Sequence, residues 1–264
     1  MMDAPLTVAF DQAAQDSGAI AQVIASLPVS LARGSEAGEL VGIDGGAGWP
    51  AAAERAIDAG ARGLLIVRPV PADAASLVES AAARGVPVVI DSMWTHDPAV
   101  ELSAASFAEV ADDRCLLEAR VSSAVGSEWH RVLLDQLSVI RAAVSPVRSL
   151  DVIRRDRTGY SATAVLATGG RVNLTAIGTD SVAASATLRI VNQQRVVQLT
   201  VLDPATAAPG RVVVTSPAGA NELESVWETA HRAAWRRLVA LVRQGETSRD
   251  LEFFADDCAV AAAW

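Results

Sequence analysis

The sequence predicts an α/β protein: a parallel-sheet layer first, then an α+β domain on an open, mostly antiparallel sheet. Three observations carry that expectation. Over roughly the first hundred residues, short apolar runs alternate with Ala-rich amphipathic segments, as in successive β-α-β units. Later segments alternate apolar with polar residues and are joined by short turn-like stretches such as "TGG" and "VNQQ". Two amphipathic stretches then close the chain.

Taken in order, "PLTVAF" is a strand and "DQAAQDSGAIAQVIASL" a helix with Asp11 as N-cap. "PVSLARG" holds a short strand and "ELVGI" a clearer one. "AAAERAIDAG" is the next helix, with Pro50 in its first turn and Gly60 at its stop. The strand "GLLIV", the helix "ADAASLVESAAARG" closed by Gly85, and the strand "VPVVID" complete a layer with right-handed crossovers. The boundary is placed near 101, giving domains 1–101 and 102–264. In the second, a strand is expected around "RCLLEARV" and a helix from Ser127 to Ala143. Six alternating segments follow, from "SLDVIRR" to "GRVVVTS". A long helix capped by Asn221 and a last one, "SRDLEFFADDCAVAAAW", finish the fold.

Composition excludes several functions. Hydrophobic residues make up 51% of the 264, yet no run approaches the ~18 uncharged apolar residues that span a bilayer. The start, "MMDAPLTVAF", has no basic stretch before an apolar core, so a cytoplasmic protein is expected. A net charge of -9 speaks against nucleic-acid or anionic-membrane partners. Cys115 and Cys258 show no CxxC spacing and are expected to be reduced core thiols, with no metal centre. All 22 basic residues are arginine. A Schiff base, a P-loop lysine and a lysine general base are therefore excluded, because arginine keeps its proton up to pH ~12.

Three stretches resemble the glucose-fructose oxidoreductase and inositol dehydrogenase (Gfo/Idh/MocA) family. They are "WPAAAERAIDAGARGLLIVRPVPADAASLVESAAARGVPVVIDSMWTHDPAV", "GSEWHRVLLDQLSVIRAAVSPVRSLDVI" and "WETAHRAAWRRLVALVRQGETSRDLEFFADDCAVAAAW". The resemblance implies a Rossmann-like first domain, a nicotinamide cofactor, a sugar or polyol ligand, and dimerisation through the open sheet. It also places Arg68 where the family has the lysine of Glu-Lys-Pro, with Val67 in the glutamate's place. The family's acid and histidine on the second-domain helix fall on Arg131 and Asp135, with Glu128 and His130 close enough for another register. Its histidine after the third strand falls on Trp49. The first strand here runs into "DQAAQDSG" instead of a Gly-x-Gly-x-x-Gly turn, and Asp11 and Asp16 would repel a diphosphate.

The residues themselves leave alternatives open. "GIDGGAGWPA" offers Gly46-x-Gly48-x-x-Ala51 between a strand and a helix, either as a second phosphate-binding turn for NAD(P) or as a tight turn only. Arg68 would hold a 2'-phosphate, a carboxylate or a sugar hydroxyl, or else pair with Asp91 or Asp73. Asp91, Trp94, His96 and Asp97 are candidate sugar contacts, or an ordinary turn before Pro98. His130 is a candidate acid or base, with Arg68 and Asp135 as the other catalytic candidates. The bland alternative pairs Arg131 with Asp135 at i,i+4 spacing. His231 is expected to be structural. Two functions follow: an NAD(P)-dependent sugar or polyol oxidoreductase, or a degenerate member that binds a ligand or partner without hydride transfer. A cofactor-free lyase or isomerase working through His130 and a carboxylate is a third.

Overall fold

A computed structural model describes residues 4–34, 38–262 and 264. The chain divides into two compact units: 1–92 with 231–255, and 93–230 with 256–264. This differs from a single cut at 101. The chain returns to the first unit because the closing helix carries an apolar face, Trp235, Leu238, Val239 and Val242, that completes that unit's core.

In the first unit the elements are β1 (Leu6–Phe10), α1 (Gln12–Gly18), α2 (Ile20–Ser26), β2 (Leu31–Arg33), β3 (Leu40–Asp44), α3 (Trp49–Asp58), β4 (Gly63–Val67), α4 (Ala75–Arg84) and β5 (Val88–Asp91). The strands pair in the order β2-β1-β3-β4-β5, all parallel. All five residues of β4 are buried, as expected of a central parallel strand with both faces covered. Pro50 lies in the first turn of α3, and Gly85 closes α4 in the left-handed conformation. The helix expected over 11–27 is two: Ala19, at φ 48°, breaks it into α1 and α2. Asp11 caps α1 as expected.

The second unit contains α5 (Pro98–Ala108), β6 (Leu116–Ser123), α6 (Trp129–Ala143), β7 (Val147–Asp156), β8 (Gly159–Leu166), β9 (Arg171–Gly178), β10 (Ser185–Val191), β11 (Val196–Leu202), β12 (Arg211–Ser216) and β13 (Gly219–Glu222). The sheet order is β13-β12-β11-β10-β6-β9-β8-β7, antiparallel except for the parallel pair β6–β9. Two helices close the chain, α7 (Ala230–Gln244) and α8 (Asp250–Ala261). Asn221 caps no helix. It lies in β13, paired with Val214 of β12, and α7 starts nine residues later.

One face of the second sheet is buried by alternate residues such as Leu117, Ala119, Leu174 and Leu188. The other, through which the family resemblance implies dimerisation, leaves no broad apolar surface among the described residues. Rows of aligned residues cross β10, β6, β9 and β8: Thr187, Arg120, Thr175 and Ser161 in one, Arg189, Glu118, Asn173 and Thr163 in the next. Glu118 pairs with Arg189 at 3.1 Å and with Arg120 at 3.5 Å. Apolar exceptions are few, Ile153 and Ile177 the most exposed among them. Among the described residues, no helix is long and apolar enough to cross a membrane, and no group of three or more His, Cys, Asp or Glu is placed to hold a metal ion.

Candidate functional site

In open parallel sheets, ligands bind outside the carboxyl ends of the strands. In the first unit, β3, β4 and β5 end on Asp44, Val67 and Asp91, which share one register row. Strands are spaced about 4.8 Å apart, so Asp44 and Asp91 stand roughly 10 Å apart on the same face as Val67. Each of these acids is engaged. Asp44 Oδ1 accepts from Ser17 Oγ at 2.9 Å, and its Oδ2 accepts from the Gly46 amide at 2.9 Å. Asp91, fully buried, faces His231 on α7: Nδ1 lies 2.7 Å from Oδ2.

Arg68 follows β4 in the left-handed region, at φ 45°, a conformation that costs a bulky side chain free energy. Its amide donates to the Asp91 carbonyl at 2.9 Å, extending the β4–β5 ladder by one bond. The strand thus ends by turning sharply into Pro69. The loop behind it is laced to the β3 loop: Gly45 N–H donates to Val67 O at 2.8 Å, and Val70 N–H to Gly45 O at 2.7 Å. A Cβ on Gly45 would lie 2.3 Å from Pro69 Cα, so only glycine fits there. The glycines of the candidate phosphate-binding turn, Gly46 and Gly48, are under no such constraint from neighbouring backbone. A Cβ on Gly46 would meet only the Asp44 carboxylate, and at Gly48 it would meet nothing, although that residue takes φ 82°. Trp49 is buried and donates Nε1–H to Val70 O at 2.9 Å, which holds the same loop against α3.

The nicotinamide dinucleotide implied by the family resemblance can be tested against these residues. A pyrophosphate needs free amides at a helix N-terminus and no Cβ or negative charge in its way. At the first β-α turn, the Asp11 carboxylate already accepts from the Ala14 amide at 2.8 Å. At the second candidate turn, the Gly46 amide is committed to Asp44. Neither turn fits a pyrophosphate.

Other candidates lie in the second unit. Trp94 is buried, and Asp97 caps α5 by accepting from the Ala99 amide at 2.9 Å. Burial pushes the Asp97 carboxyl up to about 6. The segment around His96 is stitched to α6: Met93 N–H donates to Asp135 Oδ1 at 3.0 Å, and Thr95 Oγ to Ser138 Oγ at 2.8 Å. Asp135 is thereby a buried backbone anchor. The i,i+4 pair expected with Arg131 is replaced by an i,i+3 contact between Arg131 and Glu128 at 3.8 Å. His130 is half-buried and stacks on Trp264, centroid to centroid 6.3 Å. Burial, helped by nearby Arg155, holds His130 below the usual histidine range. Trp264 also meets the edge of Tyr160 at 4.7 Å and carries Arg155 over its ring at 5.0 Å. Tyr160 donates to Gln136 Oε1 at 2.6 Å, and its burial drives the phenol well above its ordinary pKa. This cluster stabilises the end of α6 as packed aromatic rings.

Arg68 and Asp91 therefore belong to the first unit, and Trp94, His96, Glu128, His130, Arg131 and Asp135 to the second. The residue that sequence reasoning set aside is His231. The available signal was its place on the buried face of an amphipathic helix rich in arginine, where an imidazole needs a partner.

No protein-family model matches the chain, and no curated relative matches its sequence. Solved structures do match in fold. KijD10, a 3-ketoreductase from Actinomadura kijaniata in complex with TDP-benzene and NADP, aligns at TM-score 0.70 and 15% identity, covering 98% of this chain and 96% of that one. UDP-N-acetylglucosamine 3-dehydrogenase GnnA from Acidithiobacillus ferrooxidans aligns at 0.72 and 17%, covering 97% and 95%. An NADPH-dependent oxidoreductase from Desulfitobacterium hafniense, itself described as putative, aligns at 0.73 and 11%, covering 98% and 94%. The chain thus has the fold of these oxidoreductases along almost its whole length.

Proposed function

We propose that the protein is a divergent member of the Gfo/Idh/MocA oxidoreductase lineage that keeps the fold and has given up ordinary dinucleotide binding. It acts as a sugar-ligand-binding or partner subunit, without hydride transfer to NAD(P). The observation that carries this reading is the Asp11 carboxylate on the Ala14 amide, where a pyrophosphate would have to sit. The absence of lysine supports it, since Arg68 cannot accept a proton. The fold-level likeness to a UDP-N-acetylglucosamine 3-dehydrogenase, and to a 3-ketoreductase in complex with TDP-benzene, supports a sugar-like ligand. A cytoplasmic location and a homodimer through the outer face of the second sheet complete the proposal.

Titration with NADH and NADPH, followed by tryptophan fluorescence, tests it. No saturable quenching up to millimolar nucleotide is expected. Saturable binding in the micromolar range would overturn the reading and restore a hydride-transferring oxidoreductase. In that event Arg68→Ala should weaken NADPH more than NADH if Arg68 holds the 2'-phosphate.

A further inference from the structure

The outer face of the second sheet is hollowed over β6, β9 and β8, where a cavity of about 280 Å3 opens. Small-molecule pockets begin at about 300 Å3, so this one suits a ligand no larger than a single sugar ring. Strand register builds its floor: Arg120, Thr175 and Ser161 stand side by side in one row, Glu118 and Asn173 in the next. Neighbours within a row are about 4.8 Å apart, and the rows roughly 7 Å. The apolar wall comes from an irregularity. The β7–β8 register shifts between Val152 and Arg154 and leaves Ile153 unpaired, bordering the hollow and 68% exposed. Bulges re-aim side chains in this way.

The chemistry of the lining is selective. Glu118 Oε1 lies 3.5 Å from Arg120 and its Oε2 3.1 Å from Arg189. The two charged residues of the hollow, Glu118 and Arg120, are thus already paired, and a simple anion or cation has little to gain there. Among the described residues, the side chains of Ser161, Asn173 and Thr175 make no hydrogen bond. A carboxylate only accepts, a guanidinium only donates, and hydroxyls and a carboxamide do both. A ligand that answers all of them carries closely spaced donors and acceptors on an apolar frame, which describes hydroxyl groups on a saturated ring. We propose that the hollow binds a monosaccharide. Glu118 accepts from its hydroxyls, Arg120 and Asn173 donate to them, Ser161 and Thr175 complete the set, and Ile153 covers the ring's C–H face. This rests on the sugar-ligand reading above and gives that ligand a place; the homodimer proposed there would use the face around the hollow.

Titration of the isotope-labelled protein with glucose, galactose and N-acetylglucosamine, followed by NMR with no nucleotide present, tests this. At least one sugar should give saturable shifts, with a dissociation constant in the millimolar range, in the Asn173 side-chain amide and the backbone of β6, β8 and β9 around it. Arg120→Ala should weaken binding about 10-fold or more, and Asn173→Ala about fivefold, from the loss of a charged and a neutral donor. Ser161→Trp, which fills the hollow, should abolish it. Thr200→Ala, on the same face but two strands from Arg120, should leave it unchanged. Shifts with none of the three sugars would overturn this proposal together with the sugar-ligand reading. Saturable shifts elsewhere in the chain, unmoved by Arg120→Ala, would overturn the hollow alone and keep that reading. Shifts in the hollow that follow protein concentration instead of sugar would make a second copy of the chain the occupant and likewise sink the proposal.

Discussion

The two sheets manage charge in opposite ways. The parallel sheet of the first unit is apolar on both faces of its central strands, and its charged groups are pushed to the carboxyl edge. There Asp11, Asp44 and Asp91 are tied to an amide, to an amide with a hydroxyl, and to an imidazole. The sheet of the second unit is apolar on one face only and spreads its charges in rows over the other, where Glu118, Arg120 and Arg189 pair in contact with water. An edge crowded with committed polar groups is sensitive to small changes. A solvated ionic row is tolerant, because such pairs contribute little each.

The sharpest way to break that contrast is Gly45→Val at the edge. Its side chain would collide with the Pro69 backbone, and the expected cost is about 3 kcal/mol or more in urea denaturation. Gly46→Ala, one residue on, should cost under about 1 kcal/mol, since the only close atom belongs to a side chain that can turn. Equal losses at the two positions would mean that the lacing of the two loops is not what makes the edge rigid.

Next in size is Asp97→Asn. The carboxyl of Asp97 has its folded-state pKa raised by burial to about 6, above the unfolded value near 3.8. Its stabilising share is therefore complete below pH ~4 and lost as pH rises through ~6. Asparagine keeps the cap without the charge. The stability difference between variant and wild type should grow in the variant's favour by on the order of 2–3 kcal/mol from pH 4 to 7. A flat difference across that range would show that the carboxylate is solvated.

Asp11→Ala should cost ~1 kcal/mol, the usual worth of an N-cap. If the carboxylate is what excludes a pyrophosphate, the same variant should bind NADPH more tightly than wild type. The smallest effect on stability is expected at Glu118→Arg, within about 0.5 kcal/mol for an exposed position. That variant places three arginines side by side, so a homodimer through this face should dissociate in light scattering. An unchanged mass would locate any oligomer elsewhere.

Much of the first unit was legible because Pro50, Gly60, Gly85 and an unbroken apolar β4 punctuate it. The break at Ala19 was not, since nothing in alanine announces a left-handed residue. Helix α5 was missed because "ELSAASFAEV" has little amphipathic contrast. The acids of "NELESVWE" imitate a helix start, but Asn221 is held in β13 by a ladder that only the folded sheet supplies. The parallel pairing of β6 with β9 is long-range and leaves no local signature. The places of Asp91 and Arg68 at strand ends were legible from the apolar runs before them. The partner of His231 was not, because Asp91 lies 140 residues away and sequence spacing carries no trace of that.

The return of 231–255 to the first unit also orders events at the ribosome. The first unit begins to emerge before the second, yet it is not complete until residue 255 has been synthesised. Until Trp235, Leu238 and Val242 have been synthesised, the core they share with residues such as Leu40, Leu65 and Val67 lacks its α7 members. The second unit has nearly all of its chain by then, lacking only 256–264. A fragment ending near residue 230 would thus hold most of one folded unit attached to an open, adhesive sheet, so truncation is a poor route to studying either unit alone.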